Sequence, residues 1–461
     1  MARPSRRPRS LTAGRAFLLA LAIAASAAAQ TPTPAQSVDR AGLAARVREE
    51  FLRSWRGYRE YAWGHDELKP VSRAPKDWNT SPLLMTAVDA LDTMLLMGLS
   101  REAEETKAYI LANLKFDRDM SVQNFEITIR ILGGLLSSYE MTGDAGLLRL
   151  AEDLGNRLLP VFDSPTGMPY RYVNLRTGKT SGALSNPAEI GTLILEFGTL
   201  SRLTKRDVFR DEALNALTAL YHRRNETGLV GDQIDVETGQ WKSLSSHIGG
   251  GIDSYYEYLA KCDHLFHESR CGVMWRESVA AVNRYLADER PDGLWYGEAD
   301  MKTGRRTATT YGALQAFFPA VLAFTGDLER ARRLQDSGRR MWSSNGVEPD
   351  TFDYAAMRVV DPGYPLRPEI IESAYYLYHY TGESQYLEMG RDFFEDLQRY
   401  CRTDVGYTVL ESVVTKKKGD LMPSFFLAET LKYLYLLFAP EALDFDRVVF
   451  NTEGHPLKLE P

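Results

Sequence analysis

Four carboxylates that lie among apolar residues are the side chains in this sequence best suited to chemistry. They are Glu126, Asp253, Glu369 and Glu429, each inside or at the start of a stretch with helical spacing. Burying a lone carboxylate is costly unless another group pairs with it. Two carboxyl groups that flank a glycosidic bond can hydrolyse it, one acting as acid and the other as base. Further carboxylate oxygens suit a hard cation such as Ca²⁺, so the pattern indicates glycoside hydrolysis beside a cation site.

Each of these acids, taken alone, also has an ordinary structural interpretation. Glu126 and Arg130 are four residues apart and would share a helical face as an ion pair. Asp253 could cap a helix. Glu369 and Glu372, three residues apart, could complement a helix dipole. These interpretations stay open for the single residues, and the occurrence of such acids in separate helical segments favours a common site.

Helical periodicity dominates the sequence from about residue 40 to 440, and strand alternation is scarce. Similar joints, each beginning with Thr and containing Gly or charged residues, end one apolar helix and precede the next. The four joints span 142–144, 204–207, 325–327 and 381–383. The doubled interval between the second and third predicts another joint near 261–263, and weaker joints lie near 98–100 and 439–441. This repeat predicts about seven helical hairpins.

The fold that this repeat predicts is all-α, a toroid of helical hairpins. A single hairpin cannot bury its apolar faces, but stacked hairpins can, in an open solenoid or in a closed ring. An open solenoid needs polar end caps, whereas the last helix, residues 425–438, is strongly apolar, which favours closure. We therefore expect one domain over residues 41–461, with short β-hairpins such as 167–173 and 293–296 between its helices.

The first 29 residues have the pattern of a cleavable export signal. They contain five Arg and no acid, and an apolar run from Phe17 ends in three alanines at Ala29. The run is shorter than the roughly 18–20 residues of a membrane span, although an uncleaved anchor is the alternative. Residues 30–40 form a predicted linker. We expect an exported protein, periplasmic or secreted (lumenal in a eukaryote), without stable membrane insertion.

Composition excludes several other classes of protein. The chain has 55 basic and 62 acidic residues and a net charge of −7, which argues against a nucleic-acid partner. Three cysteines exclude a disulfide-built scaffold and a four-cysteine zinc module. Export permits one disulfide among Cys262, Cys271 and Cys401, and the spacing leaves the pairing open. The sequence contains neither a HExxH motif, nor a Walker A loop, nor a GxSxG elbow.

Seven segments of the chain carry a resemblance to a known family. They are 61–70 (YAWGHDELKP), 88–98, 125–136 (FEITIRILGGLL), 253–259 (DSYYEYL), 366–373 (LRPEIIES), 424–438 and 449–456 (VFNTEGHP). In these segments the chain resembles the class I α-mannosidases, glycoside hydrolase family 47. The resemblance extends in order from about residue 45 to 457. It implies an (αα)7 barrel and an exo-acting, inverting, Ca²⁺-dependent α-1,2-mannosidase.

The resemblance also implies roles for three carboxylates. Glu126 matches the general acid. Glu369 matches the base that activates water, and Asp253 matches a third essential carboxylate. The base could be either Asp253 or Glu369, and the motifs do not decide between them.

The remaining implied residues surround a cation and the terminal sugar. Thr452 matches the Ca²⁺ ligand, and Glu372, Glu429 and Glu453 match acids that surround the ion through water and touch mannose. Arg130 and Arg367 would orient carboxylates or bind sugar hydroxyls, and Phe425 would pack on the sugar ring. The implied substrate is an α-1,2-linked mannoside or a high-mannose N-glycan, and we expect a monomer.

The chain departs from the family pattern in two places that bear on its substrate. Gly251 stands where some members carry a larger residue that sets the preferred glycan branch. The segments 248–253 and 313–319 are closer to the ER degradation-enhancing branch, some of whose members act in recognition. The alternative function is therefore a lectin-like protein that binds mannose glycans with little turnover.

Overall fold

The computed structural model describes residues 38–459, and the predicted export signal and all but the last residues of the predicted linker lie outside that range. Within it the chain forms seventeen α-helices and twenty short strands. The helices are α1 Arg40–Tyr61, α2 Met85–Asp89, α3 Leu91–Leu96, α4 Ser100–Asn113, α5 Asn124–Ile127, α6 Gly133–Thr142, α7 Ala145–Leu158, α8 Pro187–Gly191, α9 Ile194–Thr204, α10 Asp207–Tyr221, α11 Asp253–Phe266, α12 Ser269–Tyr285, α13 Phe318–Phe324, α14 Leu328–Asn345, α15 Glu369–Thr381, α16 Gln385–Tyr400 and α17 Leu431–Phe438.

The strands form eight small antiparallel sheets of two or three strands each among the described residues. They are β1 Glu67–Lys69, β2 Ala74–Lys76, β3 Ser121–Gln123, β4 Tyr172–Asn174, β5 Thr180–Ser181, β6 Leu184–Ser185, β7 Gln233–Asp235, β8 Trp241–Ser243, β9 Ser245–Ser246, β10 Ala287–Arg290, β11 Gly293–Tyr296, β12 Glu298–Asp300, β13 Arg306–Ala308, β14 Thr310–Tyr311, β15 Thr351–Asp353, β16 Arg358–Asp361, β17 Leu410–Ser412, β18 Lys417–Lys418, β19 Val448–Phe450 and β20 Pro456–Lys458.

The helices pack as two concentric layers. The inner layer contains α2–α3, α5–α6, α8–α9, α11, α13, α15 and α17, and each packs most extensively against one outer helix. Six of these pairs are consecutive in sequence, and the seventh joins α17 to α1 at the other end of the described chain. The segment before α17 packs against α2 and α3, which closes the inner ring. The predicted (αα)7 barrel is therefore confirmed.

Sequence pattern explains which helices lie inside. In the outer helix α16, buried residues such as Tyr386, Met389, Phe393 and Leu397 recur at helical spacing, while the opposite face is polar. In the inner helix α17, nearly every side chain is buried, including Lys432. A helix that is apolar on nearly all sides is stable only in the interior, which agrees with the closed ring that the sequence predicted.

The predicted joints agree with the structure except for those near 261–263 and 439–441. Helices α6, α9 and α15 end at the Thr that opens the predicted joint, and α13 ends one residue before it. The joint predicted near 261–263 is wrong, because α11 continues to Phe266 and buries Cys262. The chain turns instead at His267, whose backbone is left-handed (φ +53°), and Glu268 caps α12. The joint near 439–441 leads into a short 3₁₀ turn and not into a helical partner.

The connections that precede the inner helices are long and contain strands β1 to β18, whereas the connections from an inner helix to the next outer helix are short. The N-termini of the inner helices therefore share one rim with these strands, while β19 and β20 follow α17. Of the two predicted hairpins, 293–296 is strand β11 paired with β10, while 167–173 contributes only its last two residues to β4. No helix within residues 38–459 combines the length and apolar character needed to cross a membrane.

The cysteines, whose pairing the spacing left open, are arranged by the packing of two helices. Cys262 in α11 and Cys271 in α12 form a disulfide. Cys401, after α16, is a buried thiol.

Candidate active site

One cavity of about 290 Å³ opens at the rim where the inner helices begin. The structure brings all ten residues singled out from the sequence to its wall. They are Glu126, Arg130, Asp253, Arg367, Glu369, Glu372, Phe425, Glu429, Thr452 and Glu453. Six of them lie in five helical segments, Arg367 and Phe425 lie just before two of these segments, and Thr452 and Glu453 lie in a hairpin turn. The closure of the ring therefore assembles them.

Three of the carboxylates stand at the first turns of inner helices. Glu126 lies in α5 directly after strand β3, and Asp253 and Glu369 are the first residues of α11 and α15. Asp253 is not the N-cap, a position that Ile252 occupies, but its Oδ1 accepts a hydrogen bond of 2.8 Å from the Ser254 N–H. Leu366, three residues before α15 begins, has a left-handed backbone conformation (φ +66°) that turns the chain toward the start of this helix.

Burial makes several of these carboxyls hard to ionise. Removal from water is the main cause that raises the pKa of Asp253 to about 7, and the nearby carboxylate of Glu257 contributes to this shift. Burial likewise raises the pKa of Glu369 to about 7, although Arg367 opposes the shift. Burial also raises the pKa of Glu429 well above its ordinary value, and Glu453 adds to the effect. Carboxyls tuned toward neutral pH are typical of sites that transfer protons.

Arg130 connects the wall of the cavity to its floor. Its Nε donates to Glu126 Oε2 at 2.9 Å, and its Nη1 pairs with Glu453. The guanidinium lies 5.2 Å from the ring centroid of Trp78 and 5.6 Å from that of Phe425. The residue belongs to a π-helical segment, Thr128–Leu132, between α5 and α6, and such segments recur at functional sites.

Phe425 lies between the two arginines of the cavity. The guanidinium of Arg367 lies 5.7 Å from the ring centroid of Phe425. The Nε of Arg367 also lies 3.9 Å from Asp350 Oδ1. A second π-helical segment, Phe426–Thr430, follows directly and contains Glu429. The ring therefore offers an apolar surface among charged groups, as sugar-binding sites commonly do.

The cavity is lined by many more acidic than basic side chains. Among the described residues, eight acids and two arginines line it. Glu372 is near two further partners, the Tyr433 hydroxyl at 3.3 Å and the buried Lys261 ammonium at 3.8 Å. Uncompensated buried carboxylates are costly, so the donor set fits a bound cation. All available donors are oxygens, which suits a hard ion.

No group of three or more His, Cys, Asp or Glu within residues 38–459 is arranged to chelate a metal directly. Thr452 offers a hydroxyl and a backbone carbonyl oxygen to the cavity.

A hairpin turn between β19 and β20 supplies that floor. Asn451 anchors it: its Oδ1 accepts the N–H groups of Glu453 and His455 at 3.0 and 2.8 Å, and its Nδ2 donates to the carbonyl of Ile129. The turn inserts close to α6, where a Cβ on Gly133 would approach Asn451 Nδ2 to 2.6 Å. Only glycine leaves room for the turn at that point.

Beneath the turn lies a buried ionic cluster that sequence reasoning missed. Asp92 receives the Lys432 ammonium at 2.8 Å, the His455 Nδ1 at 2.7 Å and the Ser137 hydroxyl at 2.9 Å. Burial alone would raise the pKa of Asp92, but Lys432 and His455 outweigh it and lower the pKa to about 2. Lys432 also donates to the Gly454 carbonyl at 2.5 Å, which ties the hairpin turn to α17.

Two more acids of the cavity wall were also not predicted. Glu189 in α8 accepts two hydrogen bonds from Arg171 and one from Gln123. Glu257 lies one helical turn after Asp253 and pairs with Lys261. The spacing of Asp253 and Glu257 was visible in the sequence, but nothing there distinguished Glu257 from a solvated helix face.

An α/α barrel with an acid-lined, cation-compatible cavity at one rim suits a carbohydrate-active enzyme. The sequence profile of glycosyl hydrolase family 47 matches residues 50–459, nearly the whole described chain. The chain therefore belongs to glycosyl hydrolase family 47, as the motifs predicted, and is a glycoside hydrolase.

Relatives and a solved structure agree with this assignment. The chain is 37% identical to the ER degradation-enhancing alpha-mannosidase-like protein 2 of Mus musculus, over 91% of this chain and 78% of the relative. It is 37% identical to the endoplasmic reticulum mannosyl-oligosaccharide 1,2-alpha-mannosidase of Homo sapiens, over 90% and 63%. The structure of the alpha-1,2-mannosidase from Trichoderma reesei superimposes with a TM-score of 0.85 at 28% identity, covering 91% of this chain and 99% of that one.

Proposed function

We propose that this enzyme is an exo-acting, inverting, Ca²⁺-dependent α-1,2-mannosidase that removes terminal α-1,2-linked mannose from mannosides or high-mannose N-glycans. The observation that carries the proposal is that Glu126, Asp253 and Glu369 line one cavity together with Thr452. The names of the human and Trichoderma relatives support the choice of mannose.

In the proposed reaction, water attacks the anomeric carbon while the bond from that carbon to the glycosidic oxygen breaks. Glu126 donates its proton to the departing oxygen. Glu369 or Asp253 accepts a proton from the attacking water. Attack from the face opposite the leaving group inverts the anomeric carbon, and room for that water is the reason inverting enzymes separate their two carboxyls by about 6.5–9.5 Å.

Other residues of the cavity orient the sugar. Arg130 would hold Glu126 through its 2.9 Å hydrogen bond, and Phe425 would pack against the sugar ring. Thr452 would hold Ca²⁺, with Glu372, Glu429 and Glu453 around it through water. A bound Ca²⁺ would supply positive charge and open coordination positions for sugar hydroxyls. The excess of acids in the cavity supports this ion.

The decisive experiment follows mannose release from α-1,2-mannobiose by NMR, with Ca²⁺ and with EDTA. We expect β-mannose as the first product, loss of release in EDTA and recovery with added Ca²⁺. Initial α-mannose would contradict inversion, and full activity in EDTA would contradict the cation requirement.

The lectin-like alternative is favoured by the similarity to ER degradation-enhancing proteins. It predicts Ca²⁺-dependent binding of mannobiose without release. We further propose that the protein is exported and monomeric. Protease protection in intact cells and light scattering of the purified protein test these two statements.

A further inference from the structure

Two buried side chains contact the hairpin turn that contains Thr452 but have no part in the proposed reaction. Glu196 lies in the first turn of α9, and Tyr258 lies in α11. Both are fully buried, and both lie outside the set of residues that line the catalytic cavity. The Tyr258 hydroxyl donates a hydrogen bond of 2.6 Å to Glu196 Oε1. The pair therefore joins two inner helices at the Thr452 turn.

Glu196 determines how the side-chain amide of Asn451 is oriented. This amide has a donor side and an acceptor side, and its hydrogen-bond partners decide which side faces which neighbour. The Nδ2 of Asn451 donates to Glu196 Oε1 at 2.7 Å and to the Ile129 carbonyl at 2.8 Å. Because both of these oxygens accept hydrogen bonds, the nitrogen side of the amide faces them. The oxygen side, Oδ1, consequently faces the turn.

The Asn451 Oδ1 in turn sets the direction of the Thr452 carbonyl. This oxygen accepts the Glu453 N–H at 3.0 Å. The peptide group between Thr452 and Glu453 is planar and trans, so its C=O points opposite to its N–H. The Thr452 carbonyl therefore points away from the Asn451 side chain. That carbonyl is one of the two oxygens proposed to bind Ca²⁺.

Tyr258 holds the peptide group on the other side of Thr452. The Thr452 N–H donates to the Tyr258 hydroxyl at 3.4 Å. A hydroxyl has one donor and two acceptor sites, so Tyr258 can donate to Glu196 and accept from Thr452 at the same time. Side chains from α9 and α11 thus fix, directly or through Asn451, both peptide groups that flank Thr452.

We propose that Glu196 and Tyr258 are positioning residues for the cation site and hold the Thr452 turn in the orientation that binds Ca²⁺. Neither side chain would touch the ion. Residues that orient a metal ligand typically account for about 10- to 100-fold in metal affinity. If the pair only joined α9 to α11, its loss would lower stability and leave Ca²⁺ affinity unchanged. This inference rests on the proposed function, in which Thr452 holds Ca²⁺.

The test measures Ca²⁺ binding by calorimetric titration of the metal-free protein, together with the Tm of each variant in EDTA. Tyr258→Phe removes only the hydroxyl, and its Kd for Ca²⁺ should rise about 10-fold or more. Tyr256→Phe is the matched control. Tyr256 is buried in the same helix, and its hydroxyl has no hydrogen-bond partner within residues 38–459. Its loss should leave the Kd unchanged.

Variants of Glu196 separate hydrogen bonding from charge. Glu196→Gln keeps an oxygen that can accept from Tyr258 and Asn451. Its amide nitrogen takes the position of Oε2, which has no partner in the described part of the chain. We therefore expect a Kd close to that of the wild-type protein. Glu196→Met removes the acceptor, and its Kd should rise at least about 10-fold. If Glu196→Met does not fold, Tyr258→Phe decides.

The outcomes distinguish a positioning role from a structural one. A lower Tm in EDTA with an unchanged Kd, in Tyr258→Phe and in Glu196→Met, would overturn the inference. An equal rise of the Kd in Glu196→Gln and Glu196→Met would also overturn it, because charge and not orientation would then set the affinity. The proposed cation requirement is judged on the wild-type protein alone. If that protein binds no Ca²⁺, the requirement fails and the inference fails with it.

Discussion

Replacing Lys432 with Met is the perturbation that tests the reasoning about the buried cluster under the active site. The ammonium and the Asp92 carboxylate are fully buried and 2.8 Å apart. Met has a similar length but neither charge nor donor, so Asp92 keeps only His455 and Ser137 as close partners. Removal of one member of a buried ion pair costs about 3–5 kcal/mol. The Gly454 carbonyl also loses its 2.5 Å donor.

We therefore expect Lys432→Met to lower the free energy of unfolding by about 4 kcal/mol. Unfolding entropy is about 2.1 cal/mol/K per residue, so a barrel of roughly 420 residues should lose about 4–5 °C in Tm. Urea unfolding and slow-scan calorimetry measure the two quantities. Lys179→Met, at an exposed position, is the matched control and should stay within about 0.5 kcal/mol.

A double variant separates charge burial from simple loss of packing. Asp92→Asn combined with Lys432→Met removes both charges, so its cost should be smaller than the sum of the single costs. A loss below about 1 kcal/mol in Lys432→Met, or strict additivity in the double variant, would refute the ion-pair reasoning.

Three further predictions concern the site and its support. Glu126→Gln should lower kcat at least about 100-fold in mannobiose hydrolysis while Tm shifts by less than about 1 °C, and near-normal kcat would exclude it as the acid. Thr452→Val should weaken Ca²⁺ binding in calorimetric titration more than Thr452→Ser does, and equal affinities would argue against the hydroxyl as a ligand. Burial alone would lower the pKa of His455, but Asp92 raises it to about 9, above about 6.5 in the unfolded chain. Its stabilisation is thus complete below pH 6.5 and is lost as pH rises through 9, so Tm should fall over that range, and His455→Gln should reduce the fall.

Local patterns in the sequence were sufficient for the architecture. Helical periodicity and the joints predicted the hairpins, and the uniformly apolar stretch at 425–438 indicated an interior helix and hence ring closure. The joint near 261–263 was misplaced because it was predicted from the doubled interval between two other joints and not from turn-forming residues at that position. Lys261 and Cys262 are buried inside α11, and a left-handed His267 makes the real turn. A non-glycine residue in that conformation leaves no clear signal in sequence.

The chemistry of the site was only partly visible in advance. The apolar surroundings of Glu126, Asp253, Glu369 and Glu429 indicated these four acids, and the motif resemblance added the other six predicted site residues. Their roles stay predictions, because proximity in one cavity does not assign an acid, a base or a ligand. Glu257 was not predicted, because its position four residues after Asp253 is equally compatible with a buried cavity wall and with a solvent-exposed helix face.

The sequence by itself determined the helical repeat, the family and the identities of the acids. These follow from local periodicity and from side-chain chemistry, which a chain carries wherever it folds. Only the tertiary structure decided that α17 pairs with α1, that Asp92, Lys432 and His455 neutralise one another beneath the Thr452 turn, and that α9 and α11 supply hydrogen-bond partners to the same turn. Each of these depends on groups far apart in sequence that meet only when the ring closes, and in the buried cluster the neighbouring charges then outweigh burial and keep Asp92 and His455 ionised.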